Sequence, residues 1–219
     1  MASDDLTVWG IGTSRTLRVH WMLIELGLDY AFHPIQSRTG ETRSEAFLKL
    51  NPKHKIPVLQ HGPLVLTESP AIVAYLSETF PPPDDFFVPS DTVARARLNE
   101  LCFFVMMELD AISLYVIRRH GDLSDIYGKA PRAVESAKEY FVDLSGALLK
   151  KLPADFETLM PEGMSIADIL LVTCLAHAQV CGIPLAEPLP AYRARIAQRP
   201  AFRRAFARNF PGRRLEDAS

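Results

Sequence analysis

Two short stretches of this 219-residue chain combine residue types that suit the capture of a small acidic peptide. Ile56-Pro57-Val58 sets a proline inside an apolar, strand-like run. Proline removes a ladder donor and normally marks an edge. A cis bond before Pro57 leaves the Ile56 N–H and C=O facing outward, where an extended peptide can pair with them. Glu68-Ser69 follows the next apolar run and opens a helix, so free amides and the positive end of the helix dipole face the adjoining loop. Ser69 adds a hydroxyl and an N–H for a carboxylate, and Glu68 can take an ammonium. An amino-acid zwitterion needs that combination. Each element alone has a plainer reading: an edge proline with no ligand, or an acid that merely favours a helix start.

The surrounding pattern says what must position these residues. Leu6 to Trp9 reads as a strand ending at Gly10 and Gly12. Ser14 is suited to cap the helix that follows, and Gly27 to close it. That helix carries two apolar stripes, Leu17/Trp21/Ile24/Leu28 and Val19/Met22/Leu23/Leu26, so it must be covered on two sides. The helical second half of the chain is the expected second cover. Asp29 to Pro34 is a strand parallel to the first, because a helix connects them. Ser44 to Leu50 is a short helix. Ile56–Leu59 and Leu64–Leu66 form an antiparallel hairpin about Gly62-Pro63, and Glu68 to Glu78 is a helix. The order β-α-β-α-β-β-α is a thioredoxin-type arrangement. Beyond the stiff run Phe80-Pro81-Pro82-Pro83 the pattern is helical, near 90–120, 130–151, 165–180, 189–197 and 200–208. The fold class expected is α+β: a thioredoxin-like domain over 1–80, a linker over 81–89 and an all-α domain over 90–219.

Composition narrows the partners. With 24 basic and 26 acidic residues the net charge is −2, no electrostatic footprint for nucleic acid or an anionic membrane. The arginines near the C-terminus (Arg193, Arg195, Arg199, Arg203, Arg204) alternate with apolar residues and read as a solvated helix face. The longest apolar run, Ile166 to Val180, is broken by Asp168, Thr173, His177 and Gln179, and reads as a buried helix. The N-terminal residues do not make a secretory signal. Three cysteines in apolar, helical settings fit a reducing, cytoplasmic home.

Taken together, KIPVL followed by ESPAIVAYL resembles the glutathione-binding half of the cytosolic glutathione transferases. GTSRTLRVHWMLIELGLDY is similar to that family's first helix, Gly163-Met164-Ser165-Ile166-Ala167-Asp168 to its G-x-[ST]-x-A-D motif, and Arg199-Pro200-Ala201-Phe202 to its usual last helix. Ser165 and Asp168 there form a capping box. The matches run from about residue 6 to about 206. The resemblance implies that Pro57 is the cis proline, that Ile56 pairs with the cysteinyl part of glutathione, and that Glu68 and Ser69 hold its γ-glutamyl end. Lys55 and His54, with Arg43 as a further candidate, fall where related proteins contact the glycyl carboxylate. It also implies a cytoplasmic homodimer with glutathione as cosubstrate and no metal.

The thiol-activating position falls on Thr13 or Ser14. Free thiols titrate near about 8.5, so an enzyme lowers that value by donating hydrogen bonds to the thiolate at a helix N-terminus. A hydroxyl is too weak a base to take the proton, so its part is donation. Counting five residues back from Arg18, as in the serine classes of the family, gives Thr13, with Ser14 beside it. Ser14 has a second reading as a plain helix cap. No cysteine lies at this position, which argues against thiol–disulfide chemistry. The electrophile site is expected where the first helix faces the helix at 91–120, with Phe103 and Met107 foremost among Phe103, Phe104, Met106, Met107 and Tyr115. Such a stripe is also ordinary core. The expected reaction is conjugation of the thiolate to a hydrophobic electrophile. Alternatives on the same fold are a glutathione-dependent isomerase, dehalogenase or ether-cleaving enzyme, and a non-catalytic glutathione-binding protein. Arg15 stands where the isomerases carry a cysteine, and so weighs against that option.

Overall fold

Leu6 and Val8 are buried while Thr7 and Trp9 are half covered, the period-two alternation of a strand with one face on the core. The computed structural model describes residues 5–214 and bounds this strand, β1, as Leu6–Trp9. β2 (Ala31–His33) runs parallel to β1; β3 (Val58–His61) runs antiparallel to both β1 and β4 (Leu64–Thr67). The sheet order is β2-β1-β3-β4. β3 starts two residues later than the apolar pattern suggests. Pro57 has no N–H to give a ladder, and pairing opens at Val58 opposite Trp9.

The helices are α1 (Ser14–Glu25), α2 (Glu45–Leu50), α3 (Ser69–Thr79), α4 (Thr92–Phe104), α5 (Tyr115–His120), α6 (Ser124–Tyr127), α7 (Pro131–Leu149), α8 (Ile166–Val180), α9 (Leu189–Ile196) and α10 (Pro200–Asn209). Two compact units emerge. One holds the described residues up to Asp84 and from Gln198 on; the other is Asp85–Ala197. The architecture is a thioredoxin-like sheet-and-helix unit and an all-helical one.

In the first unit Phe47 of α2 packs with Ile56, Val58, Trp9 and Ile35 on one face of the sheet. On the other face α1 and α3 lie together, and Tyr75 of α3 meets His61 of β3 at 2.8 Å. Every α1 residue from Thr16 to Ile24 is buried. Its second cover is α10, which the sequence pattern placed with the helical half. Trp21 meets Phe202 edge-on with centroids 4.7 Å apart, and Arg199 Nε donates to Glu25 Oε1 at 3.0 Å. Truncating an aromatic in such a setting costs about 3–5 kcal/mol, enough to hold the last helix with the first unit. Arg199 is thus ion-paired and Arg193 is buried, so these two arginines depart from the solvated face expected of their cluster.

The C-terminus of α1 is set by Gly27 at φ 66: its N–H reaches Ile24 O and that of Leu28 reaches Leu23 O. At the other end the cap is Thr13 and not Ser14, which is the first residue inside the helix. Thr16 decides this, because its backbone N–H and hydroxyl both bond back to Thr13.

In the helical unit Asp91 caps α4 by accepting from Val93 N and Ala94 N at 2.9 and 3.0 Å. The expected helix over 90–120 is not uniform. Val105–Leu114 is π-helical between α4 and α5, and Ser113 Oγ donates to the carbonyl of Glu108, five residues back. α8 carries the Ser165/Asp168 capping box. Asp168 is buried and accepts from Ser165 N, Ser165 Oγ, Leu159 N and Tyr192 Oη at 2.7–3.1 Å. Burial pushes its carboxyl up, and these hydrogen bonds oppose the push. Among the described residues no helix is long and apolar enough to cross a membrane.

Candidate functional site

Strand register brings the singled-out stretches to one end of the strands. His33 pairs with Trp9, Trp9 with Val58, and Val58 with Thr67. The segments just beyond these four residues therefore emerge side by side: Gly10–Ser14, Ile56-Pro57 and Glu68-Ser69. The Ile56–Pro57 bond is cis. Gly10 sits at φ 117, and a Cβ there would lie 2.6 Å from Ile56 Cβ, so the β1–α1 loop lies directly against the Ile56 segment.

The α1 N-terminus presents two hydroxyls with different obligations. Thr13 Oγ1 accepts from Thr16 N and lies 3.0 Å from Thr16 Oγ1. Asn209 of α10, fully buried, donates to Thr13 O at 3.0 Å and accepts from Thr16 Oγ1 at 2.6 Å. Its own carbonyl accepts from Gly12 N at 2.9 Å. Ser14 is half-buried, and among the described residues nothing hydrogen-bonds its hydroxyl.

At the start of α3, Glu68 occupies φ 70, ψ 108, a region that costs a non-glycine residue about 1–3 kcal/mol. No side chain caps this helix. Ser69 is 3% exposed and its hydroxyl accepts from Arg18 Nη1 at 3.2 Å; Arg18 is 1% exposed. A buried guanidinium beside uncapped helix amides favours a carboxylate there. The Glu68 carboxylate pairs with Lys53 Nζ, which also reaches Thr67 Oγ1 at 2.9 Å. This lysine holds the position expected for a ligand ammonium.

Other expected contacts are less gathered. His54 is exposed at φ 56, tied through its N–H to Asn51 O. Lys55 is exposed, and its carbonyl accepts from Asn51 Nδ2 at 2.7 Å. Arg43 lies on the short 3-10 turn Glu41–Arg43 before α2, exposed. Phe103 and Met107 belong to the helical unit and are 63% and 59% exposed, not core. Burial pushes the Cys102 thiol up to about 12 and raises that of Cys181, so neither is a ready nucleophile.

Sequence reasoning missed Arg18, Lys53, Asn209 and His20. His20 is fully buried; its Nε2 lies 3.0 Å from Gly10 O and its Nδ1 2.8 Å from Tyr30 Oη. The carbonyl only accepts, so Nε2 carries the proton and Nδ1 accepts from Tyr30. Burial, with Arg208 nearby, lowers its pKa to about 4. A histidine on a buried helix stripe was the available signal.

A thioredoxin-like unit with Arg18, Ser69 and a cis proline gathered at one end of its strands, followed by a helical unit, defines the class of protein. Comparison with known proteins agrees. Residues 4–78 match the glutathione S-transferase N-terminal domain. The chain is 34% identical to glutathione S-transferase 2 of Anopheles gambiae over 164 residues, 74% of this chain and 72% of that protein. It is 30% identical to maleylacetoacetate isomerase of Pseudomonas aeruginosa over 211 residues, 91% and 94% of the two chains. In fold it is similar to a glutathione transferase of Pseudomonas putida solved with one glutathione disulfide per subunit. That match has a TM-score of 0.81 at 23% identity and covers 95% and 93% of the two chains. The chain belongs to the glutathione S-transferase family.

Proposed function

We propose that this protein is a glutathione transferase that joins the glutathione thiolate to a hydrophobic electrophile. The observation that carries the reading is Glu68, held at φ 70 beside buried Ser69 and Arg18 at an uncapped helix start. Strain of that kind persists where the surroundings over-determine it, and here it aims polar groups at a ligand position. Glutathione lies across the ends of β1, β3 and β4. Its γ-glutamyl carboxylate meets the α3 amides and Ser69, its ammonium replaces Lys53 at Glu68, and its cysteinyl backbone pairs with Ile56 next to Pro57. Lys53, His54, Lys55 and Arg43 compete for the glycyl carboxylate. The sulfur then meets the α1 N-terminus.

A thiol of pKa about 8.5 is only a few per cent ionised at pH 7. A hydroxyl donor and the α1 dipole favour the thiolate, and the released proton goes to solvent. The sulfur lone pair forms the new bond to the electrophilic carbon, and the displaced pair leaves with the leaving group or moves onto a conjugated acceptor. Phe103 and Met107 are the apolar side chains assigned to the electrophile. The segment 81–89 serves as the linker, the protein works in the cytoplasm, and a homodimer is the working form.

Calorimetric titration with glutathione, followed by a turnover assay with an aromatic halide, tests the reading. Binding together with thioether formation is expected. Glutathione binding without turnover on a panel of aromatic, alkyl and enone electrophiles would leave a binding protein. Turnover confined to double-bond isomerisation would favour the isomerase, which the extent of the match to the Pseudomonas aeruginosa protein keeps in play.

A further inference from the structure

We propose that Asn209, on the last helix, is a positioning residue that makes Ser14 and not Thr13 the hydroxyl that meets the glutathione sulfur. The inference rests on the transferase reading and deepens it. Thr13 O is a carbonyl and only accepts, so the Asn209 atom 3.0 Å from it is the amide nitrogen. The amide oxygen therefore faces Thr16 Oγ1 at 2.6 Å; Thr13 O, 2.9 Å away, is a second acceptor for that hydroxyl, and the shorter contact, which has no other proton to fill it, draws the Thr16 proton to Asn209. With that proton placed, Thr16 Oγ1 can only accept. It does so from Thr13 N and from the Thr13 hydroxyl, each 3.0 Å away.

The Thr13 proton is thereby directed inward, along the chain Thr13 to Thr16 to Asn209. One of its two lone pairs accepts from Thr16 N. Thr13 is a cap with its hydrogen already committed. Ser14, one residue on, keeps a hydroxyl that no described residue hydrogen-bonds. A proton-directing chain anchored 193 residues away from Thr16 thus sorts two adjacent hydroxyls that local sequence leaves equivalent.

The chain has a consequence that a purely structural role lacks. Removing the Thr16 hydroxyl frees the Thr13 hydroxyl to turn outward, and removing Asn209 lets the Thr16 proton turn to Thr13 O or to Thr13 Oγ1, which releases Thr13 in part. Ser14→Ala should then matter less, because a second donor has become available. The readouts are kcat at pH 6.5 and the pH dependence of bound-thiolate ultraviolet absorbance. They are taken in the wild-type background and in Thr16→Val, Thr16→Ser and Asn209→Ala backgrounds. In wild type, Ser14→Ala is expected to lower kcat about a hundredfold, the scale of losing one preorganised donor, and to raise the pH midpoint of thiolate formation. In Thr16→Val it should cost less than about tenfold, and in Asn209→Ala a value between that and the wild-type cost, a non-additivity diagnostic of a shared network. Thr16→Ser keeps the hydroxyl and should restore the full cost. Thr16→Val leaves the Asn209 to Thr13 carbonyl bond intact, so it supplies the test should Asn209→Ala not fold.

Equal costs of Ser14→Ala in every background overturn the proposal. So does a silent Ser14→Ala in wild type that still turns over. Wild-type protein that fails to bind glutathione overturns the transferase reading as well, which separates the two failures.

Discussion

Acid should loosen the first unit through one residue, His20. Its pKa falls from 6.5 to about 4 on folding, chiefly because burial disfavours the cation. Between those values the unfolded chain binds a proton that the folded chain refuses. Stability is therefore full above about pH 6.5 and declines as pH falls toward 4. The whole window is worth about 3 kcal/mol, with about 2 kcal/mol already lost at pH 5. Urea unfolding at fixed protein concentration, at pH 7.5 and pH 5, reads the loss as a midpoint lower by roughly 1 M. His20→Gln is the control, since a glutamine amide can both donate to Gly10 O and accept from Tyr30 without titrating. The variant should show a midpoint difference between the two pH values smaller by that amount. Parallel pH dependence in wild type and His20→Gln would refute the reasoning, because the proton uptake then belongs to other groups.

Gly10→Ala places a methyl 2.6 Å from Ile56 Cβ and 2.9 Å from Thr16 Cγ2, at a φ of 117. It should destabilise by about 2 kcal/mol or more and weaken glutathione binding, measured by thermal unfolding and calorimetry. Arg18→Met removes the donor to Ser69 and the buried charge beside the α3 amides; KM for glutathione should rise about tenfold or more, with a smaller change in kcat. Asp168→Asn turns an amide donor toward groups that themselves donate. Denaturant stability should fall by about 3 kcal/mol, while glutathione affinity of the folded fraction is retained.

The parts of the fold that were legible are those written in local chemistry. β1 follows from a short apolar run ending at Gly10 and Gly12, the hairpin from Gly62-Pro63 between two apolar runs, α3 from Glu68-Ser69 directly after the second run, and the α8 cap from Ser165 and Asp168 three residues apart. What escaped depends on partners distant in sequence. Two adjacent hydroxyls are equally good caps on paper, and Thr16 with Asn209 decides between them. Lys53 meets Glu68 across the hairpin, with no periodic spacing to announce it. The π-helical stretch is hidden because Val105–Leu114 is apolar enough to satisfy a 3.6-residue period. α10 looks like one more helix of a helical run until Trp21 and Phe202 are seen in contact.

That last placement bears on the order in which the protein is made. The first unit begins at the start of the described chain yet is closed by a helix that follows the whole of Asp85–Ala197. During synthesis, residues 85–197 must leave the ribosome before Trp21, Thr16 and Gly12 meet their final partners, a delay on the order of ten seconds. The nascent sheet waits through that interval with one side of α1 uncovered. A fragment ending after α3 would share that condition permanently. The candidate glutathione site is therefore encoded early and completed late.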